Sequence, residues 1–581
     1  MILTPTFVAD FETIQRDNIE DIWLFDICNI VNLRHKTGYT MQEFFNIIDN
    51  ATTSCKIYFH NLKFDGSFIT DYLLKNGCKM SCEGGIKLKK GSFFLLVTEF
   101  GSFFKLQYKN KNNKIISIID SLKLIPLAVS KIAKDFKLPI SKGSIDYKKP
   151  RPNGYIPTEN ELEYVKKDTE IVAYAIKYML DNGHDKLTIS GCAFEEFKKT
   201  IGKVKYSDYF GEWEKNNDLK LDKEIRGSYR GGFCQVNPMY KAKTIKQPVF
   251  YYDVNSLYPY IMRSCPLPVG MPTHGVGKCE NTDKYFIQKI IVSLEVKEGH
   301  IPCILDKNQY MRNDKYIIDT QNGETNTALI TLTCFDLELM FKNYYIYHIE
   351  YIEYWVFDTR NDIFKNYVDK YTEKKIQADK DGNGALRLLC KLLLNSLYGK
   401  FGQNPERCRK VPYIGDDNIL HFDTTQKQVA TKFHYLPIAT FITSLARKLI
   451  LDQIEVIGYK NWVYSDTDSI LSLVPFNDNL IDDRELGKFK VEHIYKKTRV
   501  LGPKSYWGLD TKNNITCKLC GCEKGSVKNL PIGKFNYNQT IKNGRKMLVS
   551  VEGGKRLIDI DFTIKERCWC IYRNSYTMEF M

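Results

Sequence analysis

The stretch Tyr-Ser-Asp-Thr-Asp-Ser at 464–469 constrains this chain more than any other. It follows GYKNWV and precedes ILSLVP, and both flanks are rich in the Val, Trp, Ile and Leu typical of β-strands. Two carboxylates one residue apart at the junction of two apolar strands repel each other and lose hydration. A fold that buries those strands must therefore supply a positive partner or a metal. A solvated hairpin tip is the competing reading, and other parts of the chain have to decide between them.

The 581 residues are enough for several cores, so about three to five domains are expected. Hydrophobic residues at 43% and aromatics at 13% exclude a disordered chain. No apolar run reaches the roughly 18 residues of a membrane span. The start, MILTPTFVADFET, lacks a basic segment and a cleavable apolar core, so no secretion signal is expected. The 17 cysteines then read as reduced thiols and not as a disulfide framework. A net charge of +15 favours a polyanionic partner, of which nucleic acid is the commonest; a merely soluble basic protein is the plain alternative.

Carboxylates recur at strand ends in the first third. FVADFET, 7–13, places Asp10 and Glu12 two apart, hence on one side of a strand. IYFHNLKFDGSFI, 57–69, reads as a strand that delivers Asp65 into a loop before Gly66. In IPTENELEYVKKDTEIVAYAIKYML, 156–180, Thr158 and Glu161 suit a capping box, and Tyr164 and Asp168 share one helical face. Four acids from two strands and a helix suit a cage for two oxygen-seeking cations, an arrangement that hydrolyses phosphodiesters. Tyr164 stands where it could orient the attacking water.

In this order the motifs resemble the DEDDy-type proofreading 3′→5′ exonucleases, which have an RNase H-like fold. The resemblance implies Asp10, Glu12, Asp65 and Asp168 as metal ligands. It implies Thr13, His60, Asn61, Phe64, Ser121 and Leu122 as contacts to a frayed primer strand. It also makes Lys142 an aid to hydrolysis and Tyr147 a strand-stacking residue. His60 reads equally well as a packed histidine.

VFYYDVNSLYPYIM, 249–262, brings Asp253 to the end of an apolar strand, before a turn closed by Pro259. Asp253 with Asp468, and Asp466 beside them, suit two Mg²⁺ ions at a nucleoside triphosphate. The paired aspartates of 464–469 are then tolerable because metal is their counter-ion. GALRLLCKLLLNSLYGKFG, 384–402, reads as a helix through Tyr398 that stops at Gly399. Its one polar stripe, Arg387, Lys391, Asn395 and Tyr398, suits a triphosphate clamp, with solvated amphipathicity as the alternative.

DVNSLYP, KLLLNSLYG and YSDTDS, in that order, resemble motifs A, B and C of family B DNA polymerases. With FHNLKFDGSFI, YRGGF, NSLYGKFG and DFTIK, nearly the whole chain is similar to the protein-primed, phi-29-type polymerases of small tailed phages. The fold this implies is α+β and multidomain: an RNase H-like 3′→5′ exonuclease domain, then a right-hand polymerase domain of palm, fingers and thumb with two terminal-protein-region insertions. The expected division is 1–190 exonuclease, 191–262 first part of the palm, 263–362 first insertion and 363–403 fingers. The second insertion would be 404–432, the rest of the palm 433–522, and the thumb with a C-terminal extension 523–581.

The resemblance further implies a monomeric DNA-templated DNA polymerase that replicates a linear phage genome, starts on a terminal protein, displaces strands and proofreads. Its partners would be primer-template DNA, a single-stranded 3′ end and dNTPs, its cofactor Mg²⁺ with Mn²⁺ as substitute, and its place the cytoplasm of the bacterial host. Val254, Ser256, Lys391 and Asn395 would lie at the triphosphate, with the Val254 backbone also on metal, Tyr258 under the sugar and Tyr398 at the nascent base pair. Lys375 would be a second phosphate ligand, although extra residues around 379–384 leave Lys374 or Lys380 in play. Tyr229, Gly231, Gly232 and Phe233 would form the loop between the two active sites. Thr443 and Arg447, and Lys504 and Tyr506 of the K-x-Y motif, would hold DNA. CKLCGC, 517–522, with Cys568 and Cys570 as distant candidates, falls short of a four-ligand zinc site, so buried thiols are expected.

Overall fold

The computed structural model describes residues 4–16, 19–147, 149–304, 327–430 and 432–566. Cys568, Cys570 and the extension from 567 onward lie outside the described residues.

The first body is an eight-stranded mixed sheet in the order His35–Gly38, Ile19–Asn29, Thr6–Arg16, Cys55–Phe59, Ile115–Asp120, Phe103–Lys109, Ser92–Val97, Lys79–Met80. Period-two alternation sorts the Thr6–Arg16 strand. Ala9 and Phe11 enter a core in which Phe11 meets Phe25, Phe44 and Phe59 edge to face. Val8 belongs to the core on the opposite side, and the same period assigns Asp10 and Glu12 to that side, over which the Glu159–Asp181 helix packs. That helix starts with the complete Thr158/Glu161 capping box.

Asp65 departs from expectation. The strand ends at Phe59, Asn61 turns the chain in the left-handed region (φ 77°), and Asp65 sits buried in the first turn of the Leu62–Lys75 helix. The run looked strand-like because Leu62, Phe68 and Ile69 are the buried side of this helix, and a short apolar run does not declare its period.

The second body centres on an antiparallel sheet in which Val249–Val254 lies between Phe489–Gly502 and Ser469–Ser472, followed by Trp462–Asp466 and Cys234–Val236. The Leu436–Ile457 helix, apolar nearly all round, is buried against it. Residues 464–469 are a hairpin with Asp466 opposite Ser469 and Thr467 at φ 62°. After Val254 the chain turns at Ser256 (φ 55°), and Pro259 lies inside the first turn of the Leu257–Ser264 helix instead of closing a turn. Proline fits there because an N–H in that turn has no intrahelical acceptor.

The helix Gly384–Phe401 runs past Gly399 and stops at Gly402. Phe401 is fully buried among Phe194, Phe210 and Phe364. Burying that ring is worth about 2–3 kcal/mol, against about 1 kcal/mol for a glycine within a helix.

Leu267–Val276, Tyr344–Arg360, Tyr285–Val296 and Ala328–Thr333 make a separate antiparallel sheet, which falls in sequence between the Val249–Val254 and Trp462–Asp466 strands of the second body. Lys410–Ile414 and Leu420–Thr424 form a hairpin, and Thr540–Val551 with Gly554–Thr563 a long ribbon. The tips of hairpin and ribbon meet at an Ile419–Glu552 bridge, and Phe422 of the hairpin touches Phe103 of the first sheet. First body, hairpin and ribbon thus close on one another.

Candidate active sites

In the first body, three elements bring four carboxylates within reach of one another's charge: the Thr6–Arg16 strand carries Asp10 and Glu12, the Leu62–Lys75 helix Asp65 and the Glu159–Asp181 helix Asp168. Burial, and then the charge of Asp168, pushes Asp10 up to about 7. Burial and Asp10 hold Glu12 and Asp65 well above the usual carboxylate range. Asp168 is also raised by burial, although Lys142 pulls against it. Lys142 donates to Asp168 and stands 5.3 Å over the Tyr164 ring. Burial alone would lower its ammonium, but Asp168 outweighs that and holds it above the usual lysine value. Tyr147 and Tyr164 share a hydroxyl contact of 2.9 Å.

Asp65 Oδ1 and Asp168 Oδ1 are buried without a hydrogen-bond partner among the described residues. Orphaned carboxylate oxygens in an all-oxygen donor set suit a hard divalent cation. Among the described residues, no three His, Cys, Asp or Glu side chains are drawn together tightly enough to close around an ion.

The expected strand contacts divide into two groups. Asn61 is exposed, and Thr13, Phe64 and Leu122 are half-buried. His60 and Ser121 are packed: the two His60 ring nitrogens lie 2.9 Å from Ser121 Oγ and 2.7 Å from the Leu127 carbonyl, and Ser121 donates to the Phe59 carbonyl. The packed reading of His60 is the one the geometry supports. Asp120, which sequence reasoning missed, is buried and accepts the N–H groups of Asn61 (3.1 Å) and Leu122 (3.0 Å). Its signal was present as the acid that ends the IISIID strand.

In the second body, Asp253 lies opposite Ser469 in the ladder, and the N–H of Val254 donates to the Asp468 carbonyl at 2.8 Å. Burial, and then the Asp468 charge, pushes Asp253 up to about 7. Burial and the Asp466 charge also raise Asp468. Asp466 is placed differently: Lys504 Nζ stands 3.8 Å from it. Asp253 and Asp466 each act on the charge of Asp468, and Lys504, which stands beside Asp466, also counters the Asp468 charge.

Around Asp253 and Asp468, the rings of Tyr258 and Tyr398 pack at a tilt of 37° with centroids 4.3 Å apart. Arg387, Lys391 and Asn395 are exposed along one side of the Gly384–Phe401 helix. Burial, and then Arg387 and Lys391, holds the Lys375 ammonium below its usual value, which places it beside that stripe. Ser256, Thr467 and Lys504 all adopt positive φ at this site. Non-glycine backbone in that region is costly and gathers where function fixes it.

The 229–233 loop touches the hairpin. A Cβ on Gly232 would come within 2.7 Å of the Thr467 side chain, and the N–H of Thr467 donates to the Phe233 carbonyl at 2.7 Å. Tyr229 packs on Gly402. Three expected DNA contacts are placed otherwise. Arg447 is wholly buried, bidentate to Asp336 and donating to the carbonyls of Arg230 and Gly231. Thr443 is buried and donates to the carbonyls of its own helix. Both were read from a helix motif, which does not show that this helix is apolar on every side. Tyr506 is likewise buried, its ring tilted against that of Tyr464 at 5.9 Å between centroids. Cys517, Cys520 and Cys522 are half-buried, and burial pushes the Cys517 thiol up to about 12.

The family model described as DNA polymerase type B, organellar and viral, matches residues 51–470. The chain is 35% identical to the DNA polymerase of Bacillus phage M2 and 34% identical to that of Bacillus phage phi29, with 96% of this chain and 99% of each relative covered. The solved phi29 DNA polymerase complexed with primer-template DNA and incoming nucleotide substrates superposes with a TM-score of 0.88 at 33% identity, covering 97% of this chain and 100% of that one. The architecture is accordingly that of an exonuclease domain followed by palm, fingers and thumb, with two insertions. The chain belongs to the type B DNA polymerases of the organellar and viral kind.

Proposed function

We propose that this DNA polymerase starts synthesis on the hydroxyl of a terminal protein, displaces the strand ahead of it and edits its product at a second, separate site. One observation carries the two-site part of the reading: two clusters of desolvated carboxylates, Asp253 with Asp468 and Asp10 with Glu12, Asp65 and Asp168, each lacking enough cation to balance it; priming and strand displacement rest on the likeness to the phage relatives. The family depends on a divalent metal; Mg²⁺, with Mn²⁺ as substitute and two ions at each cluster, is the proposed choice. When bound, the ions supply Lewis acidity to the attacking and leaving oxygens of phosphoryl transfer.

The chain's own residues then have distinct tasks. At the polymerase site Lys375, Lys391 and the Ser256 turn hold the triphosphate, Asn395 lies beside them, and Tyr258 excludes a 2′-hydroxyl. Tyr398 rests against the nascent pair, and Lys504 steadies the primer end. At the editing site Asn61, Phe64, Leu122 and Thr13 hold the frayed end, Tyr147 stacks on it, Tyr164 orients the water, and Lys142 steadies Asp168. The domain limits are those expected above. The sheet within 263–362 and the 410–424 hairpin would hold the terminal protein and encircle DNA, as the hairpin–ribbon contact supports. The relatives are phage proteins, and no described helix is long and apolar enough to cross a membrane; the bacterial cytoplasm is the proposed location.

Crossed variants on one labelled primer-template test this. Asp253→Ala or Asp468→Ala should abolish extension and spare 3′-end release, while Asp10→Ala with Asp65→Ala does the reverse. Loss of both activities in either set would refute two separate sites. A covalent nucleotidyl adduct on a candidate terminal protein, with dATP and Mg²⁺, tests the priming step.

A further inference from the structure

Thr13, next to Glu12 in the editing cluster, follows a bulge that shifts the register against the Ile19–Asn29 strand. Its hydroxyl donates to Glu20 Oε1 at 3.1 Å. The other oxygen, Glu20 Oε2, accepts Arg556 Nε at 2.9 Å, and Arg556 belongs to the Gly554–Thr563 strand of the distant ribbon. The Glu20 side chain is 8% exposed and Arg556 23%. A second set of contacts fixes the seat. The N–H of Glu20 donates to the Glu552 carbonyl at 3.0 Å, and Gly553, at φ +87°, lies so close that a Cβ would come within 2.2 Å of the Glu20 carbonyl oxygen. Asn418 of the hairpin also donates to Glu552.

We propose that Glu20 is a positioning residue for editing, held in an electrically neutral pair by Arg556, so that compensation of its charge by the ribbon's arginine sets how well the editing site takes a single-stranded 3′ end. The inference rests on the nuclease reading of the N-terminal cluster. The Thr13 hydroxyl has one proton, and Glu20 takes it. A phosphate passing Thr13 competes for that proton and meets the Glu20 charge. With Arg556 in place the charge is compensated. Without it, a nearly buried carboxylate faces the incoming polyanion, since Arg556 is the cation paired with it among the described residues. Loss of a buried partner leaves the other charge uncompensated, which is the costly case.

The test uses the full chain, Mg²⁺ and a 5′-labelled single-stranded oligonucleotide, with kcat and KM for 3′-end release measured for wild type, E20Q, R556Q and E20Q/R556Q. R556Q should raise KM about tenfold at low salt with kcat held, and the defect should shrink as salt screens the carboxylate. E20Q/R556Q should return KM to wild type, and addition of one nucleotide to a matched primer should stay unchanged throughout. The proposal is overturned if R556Q leaves KM untouched, or if the double variant is as impaired as R556Q, which would assign the defect to lost docking and not to charge. A wild type that releases no nucleotide overturns the nuclease reading and this inference together. A wild type that degrades the strand while R556Q matches it overturns this inference alone.

Discussion

Arg447→Met removes a buried charge while keeping much of the side-chain volume. Arg447 and Asp336 are 1% and 2% exposed, so the pair has no solvent to fall back on. Burial alone would raise Asp336, but Arg447 outweighs it and holds the carboxyl below its usual value. Breaking such a pair costs about 3–5 kcal/mol. The carbonyls of Arg230 and Gly231 lose donors at 3.0 and 2.8 Å, adding about 1 kcal/mol each. The total, about 5–7 kcal/mol, falls on the loop that rests against Thr467, between Asp466 and Asp468. Two-state bookkeeping does not extend to a chain with several cores, so amide hydrogen exchange is the assay. Residues 229–233 and 464–469 should lose protection and primer extension should fall. Adding Asp336→Leu should restore resistance to denaturant, because apolar replacement of both partners is neutral or stabilising. It should not restore the loop, whose carbonyls still lack a donor. Native exchange in Arg447→Met, or full extension in the double variant, would refute the reasoning.

Other outcomes follow from the same geometry. In the metal-free protein Asp253 is raised from 3.8 to about 7; its contribution to stability is complete below the lower value and lost as pH rises through the upper one. Thermal melts should therefore fall in midpoint across that window, and Mg²⁺ should flatten or reverse the slope. Phe401→Ala should cost about 3–5 kcal/mol at the base of the Gly384–Phe401 helix, read as lost amide protection along that helix. Lys375→Ala should raise the KM for dNTP by about 10–100-fold, the worth of one charge-assisted bond, and leave 3′-end release unchanged.

The sequence made the acids legible because strand alternation and helical spacing are local. Asp10 and Glu12 two apart, Tyr164 and Asp168 four apart, and the 464–469 hairpin needed no long-range information. The course of the chain around Asp65 and Pro259 was less legible, because both turns depend on single left-handed residues, Asn61 and Ser256, with no glycine to announce them. Gly399 misled for the opposite reason: the Phe401 core overrode the local stop signal. Arg447 and Glu20 were illegible in their roles, since their partners Asp336 and Arg556 lie 111 and 536 residues away.

Mn²⁺ binding followed by electron paramagnetic resonance addresses the two-cluster claim most directly. Wild type should bind two separable classes of ion. Asp253→Ala with Asp468→Ala should remove one class, and Asp10→Ala with Asp65→Ala the other. If either pair removed both classes, or neither changed the titration, the carboxylates would not be the separate cation sites on which synthesis and editing are built.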